Sequence, residues 1–206
     1  MPEPGPPARR GRGRRPIAQV REEVLEAAAE ILMREGVGGF TMDKVIVRSG
    51  VSSATVYRHW PSRGALALDG YVHAVGDEIA LRDTGDIRAD LLHVIAAFVR
   101  MVNQEPAGPV FAQLIGAAQT DVELAAQFDE HYFGPRRRQA FTLLEAAKAR
   151  GQIRPEADPG VIVDLIWGAC YIRLLLPHLT DTLTVDFARD VVHQSLKGLT
   201  TPGAGD

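Results

Sequence analysis

The sequence contains little cysteine and no long apolar run. Cys170 is its single cysteine, which excludes an internal disulfide framework. The longest apolar candidate, residues 161–176, is interrupted by Asp164 and Arg173, and a membrane-spanning helix needs roughly 18–20 apolar residues. The N-terminus has charge but no apolar stretch that leads to a small-residue cleavage site. We therefore expect no signal peptide, no membrane partner and a cytoplasmic location.

The sequence also lacks the usual motifs of catalysis and metal binding. Its six histidines are scattered, without an H-x-x-x-H spacing or a Cys/His pair, so we predict no metal site. It has no glycine-rich phosphate loop and no G-x-S-x-G or S-x-x-K pattern. Cys170 stands in the most apolar segment, which favours an inert buried thiol over a nucleophile. We predict that the protein is not an enzyme and holds no cofactor.

Charge is present, but it is unevenly divided along the chain. Residues 1–63 hold 11 Lys/Arg and 7 Asp/Glu, whereas residues 64–206 hold 12 Lys/Arg and 19 Asp/Glu. A basic head on an acidic body favours contact between the head and a polyanion such as nucleic acid. A chance imbalance is the alternative, because the excess in the head is modest.

Three segments differ in composition. Residues 1–16 are rich in proline, glycine and arginine and lack the apolar residues that a fold needs, so we predict a flexible basic arm. Residues 17–63 are predicted to form a small helical head, and residues 64–206 a larger helical body. Apolar residues make up 46% of the whole chain, which is enough to build a core.

Helical periodicity runs through the head and the body. Apolar residues recur at three- and four-residue steps from Ile17, which is typical of a helix that ends near Gly36. Thr41, Ser52 and Ser62 are suitable N-caps for three further helices. The predicted helices after the first cover residues 41–50, 52–59, 62–80, 88–104, 109–119, 121–149 with a break at Gly134-Pro135, 158–178 and 184–199. No alternating strand pattern occurs, so the predicted class is all-α.

The segment from Thr41 to Trp60, TMDKVIVRSGVSSATVYRHW, predicts a helix-turn-helix. Two short helices would be joined by a tight turn at Gly50, with Val45, Val51 and Val56 where the helices cross. A helix of about seven residues is poorly stable alone, so its neighbours must hold it and its outer face is left for binding.

The predicted outer face of the second short helix is polar, partly aromatic and free of carboxylates. It holds Ser53, Ala54, Tyr57 and Arg58, with Thr55 and His59 alongside. A helix that enters a DNA groove should avoid negative charge and offer hydroxyls, small groups and a cation. An ordinary helical hairpin with a polar surface is the alternative interpretation.

These residues resemble the TetR/AcrR family of bacterial one-component regulators. The family signature runs T-x-x-x-I-A-x-x-A-G-V-S-x-x-T-x-Y-x-H-F, with a basic residue three positions on. The chain has the same spacing in Thr41, Val45, Gly50, Val51, Ser52, Thr55, Tyr57, His59, Trp60 and Arg63. Ile46 and Ser49 stand where alanines are usual, and Trp60 replaces phenylalanine. The resemblance covers residues 17 to about 70, and beyond them it rests on helical content and length alone.

The resemblance implies a role for each matching position. Thr41, Thr55, His59 and Arg63 would hold phosphates, and Tyr57 would lie against the backbone or a thymine methyl group. Ser53, Ala54 and Arg58 would face base edges, with Arg58 as the candidate for a guanine contact. Ser52, at the start of the reading helix, is included in the DNA-binding set. Arg48 points near the same groove, or is a solvated surface charge.

The arm is a second candidate DNA contact. Arg9, Arg10, Arg12, Arg14 and Arg15 alternate with glycines and precede Pro16. Such a segment fits a narrow minor groove, and Arg12, Arg14 and Arg15 are the predicted contacts. A solubilising tail is the alternative. In both cases the arm should add salt-sensitive, non-specific attraction to DNA.

The body is expected to form a homodimer. Residues 161–176 are apolar all round, and Gly168 and Ala169 would allow another helix to approach closely. In the family, two C-terminal helices of each subunit form a four-helix interface. The alternative is that the two C-terminal helices predicted here, residues 158–178 and 184–199, are both buried within one subunit.

The resemblance also implies a small-molecule pocket inside the body. Apolar and aromatic side chains are the candidate lining, with a few polar tips to orient a ligand: Phe98, Met101, Val102, Phe111, Leu114, Ile115, Phe128, His131, Tyr132, Phe141, Trp167 and Tyr171. Taken one at a time, each side chain fits plain core better than a ligand contact, and only as a set do they indicate a pocket. The expected effector is apolar or amphipathic.

The predicted function is a dimeric repressor that leaves a near-palindromic double-stranded operator when a small apolar or amphipathic molecule binds. The helix of residues 62–80 would join head to body and transmit the change. The alternative is a helical small-molecule-binding or catalytic protein without specific DNA binding. An activator, or a regulator without a small ligand, fits the sequence as well.

Overall fold

A computed structural model describes residues 16–76, 79, 81–178 and 182–197. Every regular element in these ranges is a helix, which confirms the all-α prediction. The arm with Arg12, Arg14 and Arg15 lies outside the described residues. No helix in the described ranges is long and apolar enough to cross a bilayer.

The head consists of α1 (Ile17–Gly39), α2 (Met42–Ser49) and α3 (Ser53–His59). Gly36 bends the end of α1, because it adopts a left-handed backbone with φ of 67°. Thr41 caps α2 as predicted, since its hydroxyl accepts a hydrogen bond from the Lys44 N–H at 3.3 Å. Gly50 is also left-handed and closes α2, which no residue with a Cβ does as readily.

The core of the head lies where the predicted apolar residues meet. Val45, Val51 and Val56 are all buried, and they belong to the same core cluster as Phe40 and Leu32. Their burial supplies the support that a seven-residue helix needs.

Helix α4 (Arg63–Val75) joins the head to the body. The Ser62 hydroxyl caps it by accepting from the Ala65 N–H at 3.1 Å. Gly70 lets α4 lie against α1, because a Cβ there would come within 2.9 Å of the Ala28 Cβ. The predicted extension to residue 80 is wrong: left-handed Gly76 ends the helix, and its N–H bonds the Val72 carbonyl.

The body contains the remaining elements. They are α5 (Ile87–Val102), α6 (Ala107–Ala118), α7 (Val122–Phe128), a π-helical turn (Asp129–Phe133), α8 (Gly134–Ala149), α9 (Pro159–Leu175) and α10 (Val185–Lys197). Helix α9 ends before residue 178, where the prediction placed its end, because Pro177 follows its cap residue Leu176. The division of head from body at residue 63 stays a prediction.

The junction of α7 and α8 differs from the predicted break at Gly134-Pro135. The chain stays helical, but the turn before Gly134 is widened, and the Gly134 N–H bonds the Asp129 carbonyl five residues back. Pro135 has no N–H to give to the preceding turn, which favours this wider pattern. Gly134 is required there, because a Cβ would lie 2.3 Å from the Asp129 carbonyl oxygen.

The core of the body is aromatic. The Phe111 ring lies at its centre, stacked on Tyr71 with centroids 5.2 Å apart and in contact with Phe98, Phe128 and Tyr132. Because Tyr71 belongs to α4, this cluster ties the connecting helix to α5, α6 and the π-helical turn.

Candidate nucleic-acid interface and inner cavity

The structure brings the predicted reading residues to one surface of α3. Ser53, Ala54, Tyr57, Arg58 and His59 are exposed, whereas Val56 on the opposite side is fully buried. Thr41 and Arg63 are also exposed, at the start of α2 and of α4. This surface therefore presents hydroxyls, a methyl group, a phenol and cations without a carboxylate on α3.

The start of α3 is organised by two hydroxyl groups. Ser52 occupies the N-cap position, but its Oγ pairs with Thr55 Oγ1 at 2.9 Å and accepts no hydrogen bond from a backbone N–H. The first backbone N–H groups of α3 are therefore left without a side-chain cap, at the end of the helix where anions are favoured.

Arg48 is placed differently from the other predicted contacts. Its Nη2 lies 2.6 Å from Glu30 Oε2, and its Nε donates to the same oxygen at 2.9 Å. This hydrogen bond lowers the pKa of Glu30, so the carboxylate stays charged. The side chain of Arg48 is thus held against α1 by the Glu30 carboxylate, which makes it a weaker candidate for a DNA phosphate contact.

The first residues of α1 lie beside the reading helix. Ile17, with 67% of its surface exposed, and Val20 line a shallow cleft together with Thr55, Arg58 and His59. The start of α1, which follows Pro16 in the chain, therefore lies next to α3.

Sequence analysis missed a polar cluster that supports α3 from behind. The Trp60 indole N–H, on a side chain only 2% exposed, donates to Asp69 Oδ2 at 2.9 Å. Arg21 donates to the same oxygen at 3.0 Å. The cluster joins α1, the end of α3 and α4, and the replacement of phenylalanine by Trp60 was the one sequence signal for it.

An inner cavity of about 310 Å³ lies within the body. Phe98, Tyr132, Trp167 and Tyr171 line it, as predicted for a pocket. Met101, Val102, Phe111, Leu114 and Phe128 are buried core outside this lining, because neighbouring helices cover them. Ile115 and Phe141 pack at the edge of the core, and His131 is exposed beside Glu130, so these three do not line the cavity either.

The rest of the lining was not predicted. It includes Ile79, Leu81, Val94, Phe133, Arg136, Arg137, Ala140, Val163, Asp164 and Gly168. The Arg136 guanidinium lies 4.0 Å above the Tyr132 ring, four residues earlier in the chain. Arg137 Nη1 pairs with Asp164 Oδ1 at 2.5 Å, and this pair lowers the pKa of Asp164. Because a run of three arginines (residues 136–138) is typical of an exposed surface, the sequence did not indicate that Arg136 and Arg137 line the cavity.

Two buried groups of α9 at the cavity, Tyr171 and its neighbour Cys170, are neutral at physiological pH. Burial raises the pKa of the Tyr171 phenol well above its usual range. Burial also raises the pKa of the Cys170 thiol to about 11. The cavity therefore offers a mostly apolar wall with a neutral Tyr171 phenol and with the charged groups of Arg136, Arg137 and Asp164. The described residues contain no cluster of three or more metal-ligating side chains.

Helix α9 leaves an apolar row uncovered on the outside of the body. Val161, Leu165 and Ile172 are each 55–56% exposed, and Leu175 and Leu176 are 39% and 47% exposed. Ile162, Ile166 and Cys170 on the opposite side are buried. Within the described residues of one subunit, α9 is therefore buried on one side only.

Comparison with known proteins gives two family matches. Residues 24–69 match the model described as bacterial regulatory proteins, tetR family, and residues 81–195 match the tetracyclin repressor-like C-terminal domain. The second match alone spans more than half of the chain.

Individual relatives agree with these matches. The chain is 33% identical over 193 residues to the uncharacterized HTH-type transcriptional regulator YdeS of Bacillus subtilis, covering 94% of this chain and 96% of that protein. It is 29% identical over 184 residues to the DNA-binding transcriptional repressor TetR of Mycobacteroides abscessus, covering 88% and 94%. The crystal structure of the TetR family transcription regulator SCO0332 superposes with a TM-score of 0.77 at 46% identity, covering 89% of this chain and 100% of that one.

Proposed function

Because the chain belongs to the TetR family and is a DNA-binding transcriptional regulator, we propose that it is a dimeric repressor that a small apolar or amphipathic molecule releases from its operator. One observation carries the proposal: the predicted reading residues share one exposed, carboxylate-free face of α3. The buried side of α3 and the hydrogen bond from Trp60 to Asp69 hold this helix in place.

The proposed DNA contacts divide into two groups. Ser53, Ala54 and Arg58 would read base edges in the major groove, where an arginine binds guanine through two hydrogen bonds. The phosphate contacts would fix the register of the protein on the duplex, and they comprise Thr41, Ser52, Thr55, Tyr57, His59 and Arg63. Arg48 would contribute less, since Glu30 already holds it.

The arm extends this interface. Ile17, at the start of α1, lies beside α3, so we include Arg12, Arg14 and Arg15, which precede it in the sequence, among the proposed DNA contacts. A cation in a narrow minor groove is attracted by the enhanced negative potential there.

Dimerisation supplies the second half-site. A single short helix reads few base pairs, and two heads about 34–36 Å apart reach successive major grooves of a near-palindromic operator. The uncovered apolar row of α9 suits contact with a second copy, since an exposed row of this kind is unfavourable in water.

The effector would occupy the inner cavity. A volume of about 310 Å³ and an aromatic wall suit a small apolar or amphipathic molecule. Neither a cofactor nor catalysis is part of the proposal, and the cytoplasmic location stays a prediction.

Helix α4 would transmit the effector signal. It packs on α1 at Gly70, and on α7 at Gly64, where a Cβ would lie 3.0 Å from the Leu124 Cβ. A molecule that favours a different seating of α7 would thereby change the position of the head. The equilibrium shifts only by the difference in the affinity of that molecule for the two states.

Selection of bound sites from a random DNA pool tests the proposal. The wild-type protein should enrich a near-palindrome, Arg58→Ala should lose the preference at one base pair of each half-site, and Arg154→Ala, an exposed arginine of the body, should behave as wild type. A compound screen for release from the enriched site would then identify the effector. Salt-sensitive binding without any enriched sequence contradicts the proposal and favours a helical ligand-binding protein instead.

A further inference from the structure

Helix α9 has an exposed apolar face next to the face that lines the inner cavity. At 100° per residue, Val161, Leu165, Gly168, Ile172 and Leu175 follow one line along the helix, which we call the outer stripe. The face that lines the inner cavity holds Val163, Asp164, Trp167, Gly168 and Tyr171. Gly168 belongs to both faces.

The outer stripe has the pattern of a helix that packs on another helix. Its members are spaced alternately four and three residues apart, as at the seam between two packed helices. Gly168 is the middle member, and the positions on either side of it are all apolar. A two-fold axis through Gly168 would therefore place apolar residues against apolar residues, which argues for a second copy of this chain as the partner.

The inner cavity reaches the surface at the edge of this stripe. The side chains of Arg137 and Asp164, which line the cavity, are 44% and 65% exposed. A Cβ placed on Gly168 would meet no atom within 4 Å. The mouth of the cavity in a single chain thus lies next to the residue on which the second copy would be centred.

We propose that the second copy, packed on the outer stripe, closes the mouth of the inner cavity beside Gly168, so that the enclosed ligand site exists only in the dimer. This inference rests on the proposed dimer. It places the two ligand sites next to each other across the two-fold axis and links ligand binding to dimerisation, because a molecule enclosed by both copies stabilises the form that encloses it.

Trp167 reports closure of the mouth without any ligand. It faces the cavity, about 100° or more around the helix from the middle of the outer stripe, so a partner on the stripe does not cover it directly. The chain has two tryptophans, and Trp60→Phe leaves Trp167 as the single tryptophan, whose emission can be excited selectively. The measurement is acrylamide quenching of Trp167, with sedimentation velocity on the same samples.

The dimer should lose most of the quenching that the monomer shows. Leu165→Glu places a charge on the stripe at an exposed position, so the folded subunit should stay monomeric and remain fully quenched, with circular dichroism as the check on its fold. A dimer that Leu165→Glu disrupts, but in which Trp167 is quenched as in the monomer, overturns the inference and leaves the proposed function intact. A wild-type chain that is monomeric contradicts both.

A second pair of variants keeps the test independent of an introduced charge. Gly168→Leu fits a single subunit, because the space around its Cβ is open, but would separate two copies centred there. Gly116→Leu is the matched control, at an exposed helical glycine of α6 with equally open space. We expect loss of the dimer in the first variant alone. A Gly168→Leu dimer as tight as wild type would overturn the proposed position of the axis.

Discussion

The side-chain oxygen of Gln113 accepts a hydrogen bond from the backbone N–H of Val37 across 2.9 Å. It joins α6, in the body, to the bent end of α1, in the head. Gly36 makes this contact possible, because a Cβ at its position would lie 2.7 Å from the same oxygen. The head is thus fastened to the body at a second place besides α4.

Loss of this contact should loosen the end of α1. Gln113→Leu removes the acceptor, so we expect faster hydrogen exchange at the Val37 amide and weaker coupling between effector and DNA. Gln113→Glu keeps an acceptor oxygen and serves as the control. Equal exchange in both variants would show that the hydrogen bond does not hold the two parts together.

Arg58 and Arg48 should differ in their effect on DNA binding. Arg58→Ala should cost about 1–3 kcal/mol of discrimination at one base pair, whereas Arg48→Ala should change affinity little because Glu30 holds that side chain. Glu30→Gln should weaken that hold and raise non-specific affinity at low salt. Fluorescence anisotropy titrations at several salt concentrations measure all three, and a loss in Arg48→Ala equal to that in Arg58→Ala would contradict the assignment.

Asp69 should stabilise the head through Trp60. Asp69→Ala leaves a buried indole N–H without its acceptor, which costs about 1–3 kcal/mol of unfolding free energy. In a Trp60→Phe background the same substitution should cost clearly less, since the buried indole donor is absent and only the exposed Arg21 is left without its acceptor. Urea unfolding of the four proteins in this cycle gives the comparison, and equal costs in both backgrounds would rule out the coupling.

Glu35 should make the head more stable at neutral than at acid pH. It accepts hydrogen bonds from Lys44, at 2.5 Å, and from Arg34, at 2.8 Å, and these lower its pKa. Because the folded pKa lies below the unfolded value of 4.5, the stabilisation is complete above that value and disappears as the pH falls through the folded pKa. Glu35→Gln should therefore be less stable than wild type at pH 7, and the gap should close in acid, as followed by thermal unfolding.

A larger side chain at Ala140 should block the effector without harming DNA binding. Ala140 lines the inner cavity and is only 2% exposed, so Ala140→Phe fills space that a ligand would need. The variant should bind the operator as wild type and fail to leave it when the effector is added. Ala149→Phe, at an exposed position of the same helix, is the control, and normal release by Ala140→Phe would place the effector elsewhere.

The head could be predicted from the sequence because its signals are local. Thr41 and Ser62 cap the helices that follow them, and Gly50 takes the left-handed turn that ends α2. Each of these roles depends on a few neighbouring residues. The Trp60–Asp69–Arg21 cluster was missed because it joins residues up to 48 positions apart, for which local pattern gives no signal.

The inner cavity was predicted less well for a physical reason. A cavity wall and a packed core use the same apolar side chains, and the crossing of distant helices decides between them. Phe111 belongs to the packed core and not to the cavity wall, because Tyr71 of α4 stacks on its ring. Arg136 lines the cavity, and its guanidinium lies over the Tyr132 ring. A run of basic residues in the sequence does not indicate such a contact.

The burial of Cys170 has a practical consequence for measuring the distance between the two heads. Its side chain is completely buried, and its thiol, with a pKa of about 11, stays protonated at neutral pH and therefore unreactive. A cysteine introduced at Val47, which is 82% exposed on α2, would thus take a spin label selectively in the otherwise natural chain. One such label on each subunit would turn operator release into a change of interspin distance.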